Sequence, residues 1–214
     1  MTTAIAYSER DTLTSGADAL GVALDAAMLD RLSHYLDLLV KWNRVHNLTA
    51  VRERTEMVTL HLLDSLAVLP HLAPGRLIDV GAGAGLPGIP IAIAAPTRAV
   101  CVLDSNQKKT AFLRQVGAEL GLANLDVVSE RAEVYRPQRA FDLAIARAYA
   151  DLAGFAAACT HLLRPGGEMV AMKGLHPREE IARLPTAVRV LRIVPLEIPG
   201  LAAARHLIVM DRHE

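Results

Sequence analysis

The chain has 214 residues, 52% hydrophobic and 21% charged, enough for one sizeable core with a small appendage and too apolar for a disordered chain. Its formal net charge is zero, so any RNA-binding face must come from local clustering rather than from a basic fold. The longest apolar runs, such as Ile89 to Pro96, fall short of the roughly 20 residues that cross a bilayer. The N-terminal MTTAIAYSER lacks the basic and apolar regions of a secretory signal, so a cytoplasmic protein without a membrane partner is expected. Cys101 and Cys159 lie in apolar surroundings without a CxxC spacing and are expected as reduced core residues.

Residues 1–24 have weak periodicity and are expected to include a frayed tail. Asp25 is placed to cap a helix whose Leu29, Leu32, Leu36 and Leu39 form an apolar stripe. Trp42 extends it, beside a leucine stripe where core packing outweighs base stacking. Asn43 to Arg54 is polar and turn-like. A second amphipathic helix is expected from Thr55 to Leu69, before Pro70 and Pro74-Gly75. His61 and Asp64 stand at i and i+3 on one face of it. With no third ligand at a convincing spacing, they predict a hydrogen bond tying these helices to the rest of the chain, and no metal.

From Arg76 strands and helices alternate. Strands are expected at 76–80, 99–104, 124–129, 141–146, 167–173, 187–194 and 205–211, and helices at 87–95, 106–120, 151–163 and 177–184. Arg164-Pro165-Gly166-Gly167 is a tight turn before the fifth strand, and the last two strands form a hairpin around Pro199-Gly200. This is an α/β fold with a Rossmann-like doubly wound sheet. Residues 1–73 make an N-terminal helical cap and 74–214 a cofactor-binding domain. The cap holds six Lys/Arg and nine Asp/Glu, the remainder 17 and 14.

The run Leu77-Ile78-Asp79-Val80-Gly81-Ala82-Gly83-Ala84-Gly85-Leu86-Pro87-Gly88 is a buried strand, a glycine turn and a helix start. About 19 residues beyond Gly85, the apolar run Ala99 to Leu103 ends in Asp104, the spacing of an acid that grips an adenosine ribose. Two registers compete. Gly83-x-Gly85-x-x-Gly88 fits a dinucleotide fingerprint but starts late after the strand. Gly81-x-Gly83-x-Gly85, preceded by Asp79, fits the S-adenosylmethionine (SAM) turn of class I methyltransferases. Its glycines let the backbone approach the methionyl part closely, and the Asp79 carboxylate favours the ammonium and sulfonium of SAM.

The run Ile78 to Pro90 resembles the SAM loop of the RsmG/GidB family, bacterial small-subunit rRNA methyltransferases acting on guanine N7. Lys41-Trp42-Asn43 with Asn47-Leu48-Thr49, His61-Leu62-Leu63-Asp64-Ser65, Leu103-Asp104-Ser105 with Lys108 and Phe112-Leu113, and Arg205-His206-Leu207 are similar to further family segments. The resemblance covers residues from about 25 to 211. It implies a SAM site of Gly81, Leu86, Ala132, Glu133 and Arg147, with Asp104 at the ribose, and 16S rRNA or the small ribosomal subunit as substrate. Leu86, Ala146 and Ala204 depart from residues common in the family at those positions.

Guanine N7 has a free lone pair and no proton, so its methylation needs no general base. The chain has neither a Pro-Cys tip for pyrimidine C5 chemistry nor an Asn-Pro-Pro tip after the fourth strand for adenine amino methylation. Arg147 stands there instead, expected to hold the base or its phosphate in register. Lys173, at the end of the fifth strand, is the second candidate at the reaction centre. Cations for RNA capture are sought among Arg44, Arg52, Arg54, Lys108, Lys109, Arg114, Arg164, Lys173, Arg205 and His206. The rival readings are a small-molecule SAM methyltransferase, an NAD-linked oxidoreductase and an rRNA-binding assembly factor. Nothing in the chain demands more than a monomer.

Overall fold

The computed structural model describes residues 8–213. The chain opens with α1 (Glu9–Ala19), where a frayed tail was expected. Ser8 and Asp11 form a reciprocal capping box that satisfies the amides of both residues, and Leu13 and Ala17 are buried. Gly16 permits close contact, since a Cβ there would come 2.5 Å from Leu63. The rest of the expected tail, residues 1–7, lies outside the described residues.

Asp25 caps α2 (Ala26–His46) through the Met28 amide at 2.7 Å, and Leu29, Leu32, Leu36 and Leu39 are all buried. The helix runs past the polar turn expected at Asn43. Asn43 is itself buried, and its side chain accepts from the Thr49 amide at 2.9 Å, organising the turn that follows. Trp42 packs on the core, its ring centroid 5.5 Å from that of Phe112 and its Nε1 donating to Gln115.

The second expected helix is broken into α3 (Arg54–Met57), a π-helical stretch (Val58–Leu63) and α4 (Asp64–Leu66), then a 3₁₀ turn (Leu69–His71). Apolar periodicity does not register such a widened turn, because the same leucines still face inward.

The sheet contains β1 (Leu77–Val80), β2 (Val100–Leu103), β3 (Leu125–Val128), β4 (Phe141–Arg147), β5 (Leu163–Lys173), β6 (Val188–Pro195) and β7 (His206–Arg212). Helices α5 (Gly88–Ala94), α6 (Gln107–Glu119), α7 (Leu152–Cys159) and α8 (Arg178–Ala182) follow β1, β2, β4 and β5, whereas a loop alone joins β3 to β4. The order is β3-β2-β1-β4-β5-β7-β6. β7 lies antiparallel between β5 and β6, so the expected terminal hairpin is present. The fifth strand starts earlier than expected. Phe141 pairs with Leu163, then the register shifts before Leu143 pairs with Glu168, so Arg164 to Gly167 bulges within a longer strand.

Every β1 and β2 residue is buried, as the continuous apolar runs of a parallel sheet covered on both faces require. One core joins cap leucines such as Leu36 and Leu62 to Ile89, Leu113 and Leu143. The other holds Ile78, Phe141, Phe155 and Ile208. Residues on both sides of position 73 therefore share the first core. Cys101 and Cys159 are free and buried, and burial pushes the Cys101 thiol up to about 12.

Candidate active site

The glycine turn leaves β1 at its C-terminal tip. Gly81, Gly83 and Gly85 all have positive φ (+71°, +60° and +89°), the left-handed region that glycine enters without steric cost. The amides of Gly81 and Ala82 donate to the Leu103 carbonyl at 2.8 and 3.0 Å, stapling the turn to β2. Asp104 completes the staple. Its Oδ2 accepts from the Gly83 amide at 2.9 Å and its Oδ1 from the Asn106 amide at 2.8 Å. From the cap, the buried Tyr35 hydroxyl donates to the Ala84 carbonyl at 2.8 Å.

Above this turn lies an open cleft of about 500 Å³. Gly81 and Val80 line it at the tip of β1, Asp104 and Ser105 after β2, Ala132 and Glu133 after β3, and Arg147 and Tyr149 after β4. Five expected site residues thus converge: Gly81, Asp104, Ala132, Glu133 and Arg147. The sequence reading missed Glu130, Arg131, Ala148 and Tyr149, and placed Lys109 only among RNA contacts. Their one signal was position, directly after a strand or at the start of the following helix. Ala148 carries φ +61°, an uncommon conformation for a residue with a Cβ, at the bend beyond Arg147.

Asp79, Gly83, Leu86 and Lys173 do not line the cleft. Asp79 was expected to face a cofactor cation. It is instead fully buried, with Oδ2 accepting from the Gly88 amide at 2.8 Å and Oδ1 without a partner among the described residues. Burial raises its pKa to about 7, against the opposing pull of the Gly88 bond and of Arg147. Leu86 turns inward, 4% exposed, against the core shared with the cap. Gly83 supports the turn from below by its bond to Asp104. Lys173 is drawn aside: its Nζ lies 2.8 Å from Glu180 and 3.3 Å from the Tyr149 carbonyl, so it braces a wall of the cleft.

Arg147 Nη1 donates to the Leu60 carbonyl at 3.0 Å and to Asp64 Oδ2 at 3.1 Å. Leu60 lies in the π-helical stretch. The Asp64 amide donates to Thr59 and His61 rather than to Leu60, so the Leu60 carbonyl lacks its α-helical donor. Asp64 is 2% exposed, and its Oδ1 accepts from Arg205 Nε at 2.8 Å. The expected tie between cap and sheet is therefore made by Asp64 to two arginines. His61 does not pair with Asp64; its Nε2 meets Thr49 Oγ1 at 2.8 Å, and burial lowers its pKa.

The cationic candidates for RNA scatter. Arg54 is held by Glu9 and Asp37 inside the cap, Arg52 bonds Asn47, and Arg164 pairs with Asp142 beside the early β4–β5 pairing, away from the strand tips. Arg114 approaches Thr110. Arg44 and Lys108 are exposed on their helices, while Arg205 and His206 stand at the start of β7, beside the cleft edge.

A seven-stranded sheet with β7 inserted antiparallel, a glycine turn after β1 and an acid after β2 defines the class I methyltransferase fold. Solved structures share it at low identity. TrmN from Thermus thermophilus has a TM-score of 0.52 and 16% identity, covering 73% of this chain and 53% of that one. A SAM-dependent methyltransferase from Geobacter sulfurreducens, in complex with S-adenosyl-L-homocysteine, has a TM-score of 0.50 and 15% identity, covering 83% and 98%. The family model described as "GidB: rRNA small subunit methyltransferase G" matches residues 28–208. The "Ribosomal RNA small subunit methyltransferase G" of Laribacter hongkongensis is 51% identical over 199 residues, 93% of this chain and 96% of that protein. That of Aromatoleum aromaticum is 52% identical over 207 residues, 94% and 98%. The chain belongs to the GidB family of small-subunit rRNA methyltransferases.

Proposed function

We propose that this methyltransferase transfers a methyl group from SAM to N7 of one guanine in 16S rRNA, in the cytoplasm and as a monomer, with the small ribosomal subunit as its macromolecular partner. Among the described residues no helix is long and apolar enough to cross a membrane. The observation that carries the reading is the open glycine floor: a Cβ built on Gly81 meets nothing within 4 Å, in a cleft walled by Asp104 and Glu133. That space suits a ligand pressed onto bare backbone. The Asp104 carboxylate, 8% exposed, keeps acceptor capacity for ribose hydroxyls beyond its two amide bonds. The residues present fit SAM.

Bound SAM supplies an electrophilic methyl on a sulfonium. Gly81 and Asp104 would seat the cofactor, and Ala132 and Glu133 would flank its adenine side. Guanine N7 carries a lone pair and no proton, so no side chain would need to remove one. The protein's contribution is alignment and exclusion of water. Arg147, with Nη1 committed to the cap, has Nη2 and Nε without hydrogen bonds among the described residues, donors suited to a base edge or a phosphate.

Methyl transfer from labelled SAM to unmodified small subunits and to their naked rRNA tests this, with chemical cleavage at N7-methylguanine locating the product. Label at a single guanine N7 is expected. SAM binding without label in either RNA overturns the RNA substrate and leaves a small-molecule methyltransferase.

A further inference from the structure

Leu175 is the most exposed large apolar side chain among the described residues, at 81%. It sits in the short loop between β5 and α8, and that loop is held at several points. Before it, Lys173 is anchored by Glu180 and the Tyr149 carbonyl. Within it, the Gly174 carbonyl lies 3.0 Å from His206 Nδ1. The His176 and His206 rings meet edge to face with centroids 5.6 Å apart. After it, Pro177 is buried. The loop also adjoins the cleft mouth. A Cβ on Gly174 would lie 3.9 Å from Arg205 Nη1, and Arg205 shares the Asp64 carboxylate with Arg147.

We propose that the loop from Gly174 to Pro177 is the part of this enzyme that enters the rRNA. Leu175 wedges into the base stack beside the target guanine, and the His176 and His206 imidazoles bear on the bases it exposes. This deepens the rRNA reading above and rests on it. An enzyme that does chemistry on a base acts on an unpaired nucleotide or draws it out of its stack. Apolar side chains such as leucine open a stacked step by insertion, and imidazoles stack on unpaired bases. The surroundings favour nucleic acid over a protein partner. One leucine amid two imidazoles and Arg205 is far smaller than the roughly 1,000 Å² of a stable protein interface. Among the described residues Arg178, exposed at the same end, makes no ion pair and suits a flanking phosphate.

The test uses the full chain, with L175A, H176A and the double variant assayed on unmodified small subunits over a range of subunit concentrations. S-adenosyl-L-homocysteine binding and thermal melting are measured in parallel. In the double variant kcat/KM for subunits is expected to fall about tenfold or more, with cofactor affinity and melting unchanged, and L175M should recover most of the loss caused by L175A. Wild-type kcat/KM in the double variant overturns the proposal. So does a loss that tracks weaker cofactor binding or lower melting. A wild-type protein that binds S-adenosyl-L-homocysteine but labels neither subunits nor their naked rRNA instead overturns the rRNA reading itself.

Discussion

Arg147, at the mouth of the cleft, donates to Asp64 at 3.1 Å across 83 residues of chain. Asp64 belongs to the helical cap, Arg147 to the tip of β4. The cap therefore sets the position of a side chain that lines the cleft. Because Asp64 also holds Arg205, one buried carboxylate bridges two guanidiniums and ties three segments together.

Removing that carboxylate should damage both fold and turnover. Asp64→Ala leaves Arg147 and Arg205 without their shared acid, and breaking a buried ion pair costs about 3–5 kcal/mol. Urea unfolding of D64A should register a loss on that scale. Asp64→Asn keeps shape and some hydrogen bonding. Its turnover should fall about tenfold through misplacement of Arg147, with S-adenosyl-L-homocysteine affinity nearly unchanged. Wild-type turnover in D64N would show that Arg147 needs no holding by Asp64.

Two glycines of the turn should fail in different ways. Gly81→Ala adds a methyl pointing into open cleft at a positive φ, costing roughly 1–2 kcal/mol of backbone strain and blocking the cofactor. Gly85→Ala drives a methyl into Ile89 and to 2.7 Å from Leu113, so its cost is in folding. Calorimetric titration and melting of both variants should separate them: binding lost with modest destabilisation in G81A, a much lower melting temperature in G85A. Equal effects on both readouts would contradict this division.

Tyr35 links cap to turn by one hydroxyl. Tyr35→Phe leaves the Ala84 carbonyl without that donor, in a buried setting, a change worth about 1–3 kcal/mol. Chemical denaturation should detect it. Cofactor affinity should weaken as well, because the turn loses its support from α2. An unchanged denaturation midpoint would mean that water or a neighbouring donor replaces the hydroxyl.

Asp79 predicts a pH dependence of stability. Burial lifts its pKa from 3.8 to about 7, so between those values the folded state holds a proton that the unfolded chain releases. Its contribution is most favourable below pH 4, declines as pH rises toward 7, and is level above that. Asp79→Asn retains an acceptor for the Gly88 amide without the titration. The stability of D79N relative to wild type, measured by urea unfolding from pH 5 to pH 8, should rise with pH and then flatten. A pH-independent difference would refute the shift.

The seven strands, the glycine turn and the terminal hairpin were legible because each depends on local pattern: apolar runs of strand length, glycines at a strand tip, Pro-Gly between two strands. Asp104 was legible by spacing. Asp79 and Lys173 were placed near the right turn and strand tip but with the wrong surroundings. Periodicity locates a residue along an element, whereas burial and ion pairing depend on what packs over it. The helix over Glu9–Ala19 was missed because its apolar positions are few and its stability comes from the Ser8–Asp11 capping box and from Leu63 packing close on Gly16.

By itself the sequence determined the alternation of strands and helices, the bare-backbone turn at Gly81, the acid at Asp104 and the family resemblance across most of the chain. These depend on neighbours within one or two elements. Only the tertiary structure decided that Asp79 is sealed beneath α5, that Lys173 serves Glu180, and that Asp64 in the cap holds Arg147 and Arg205. Those outcomes follow from long-range packing. A buried carboxylate takes whichever donors the folded chain brings to it, and here they come from arginines 83 and 141 residues away.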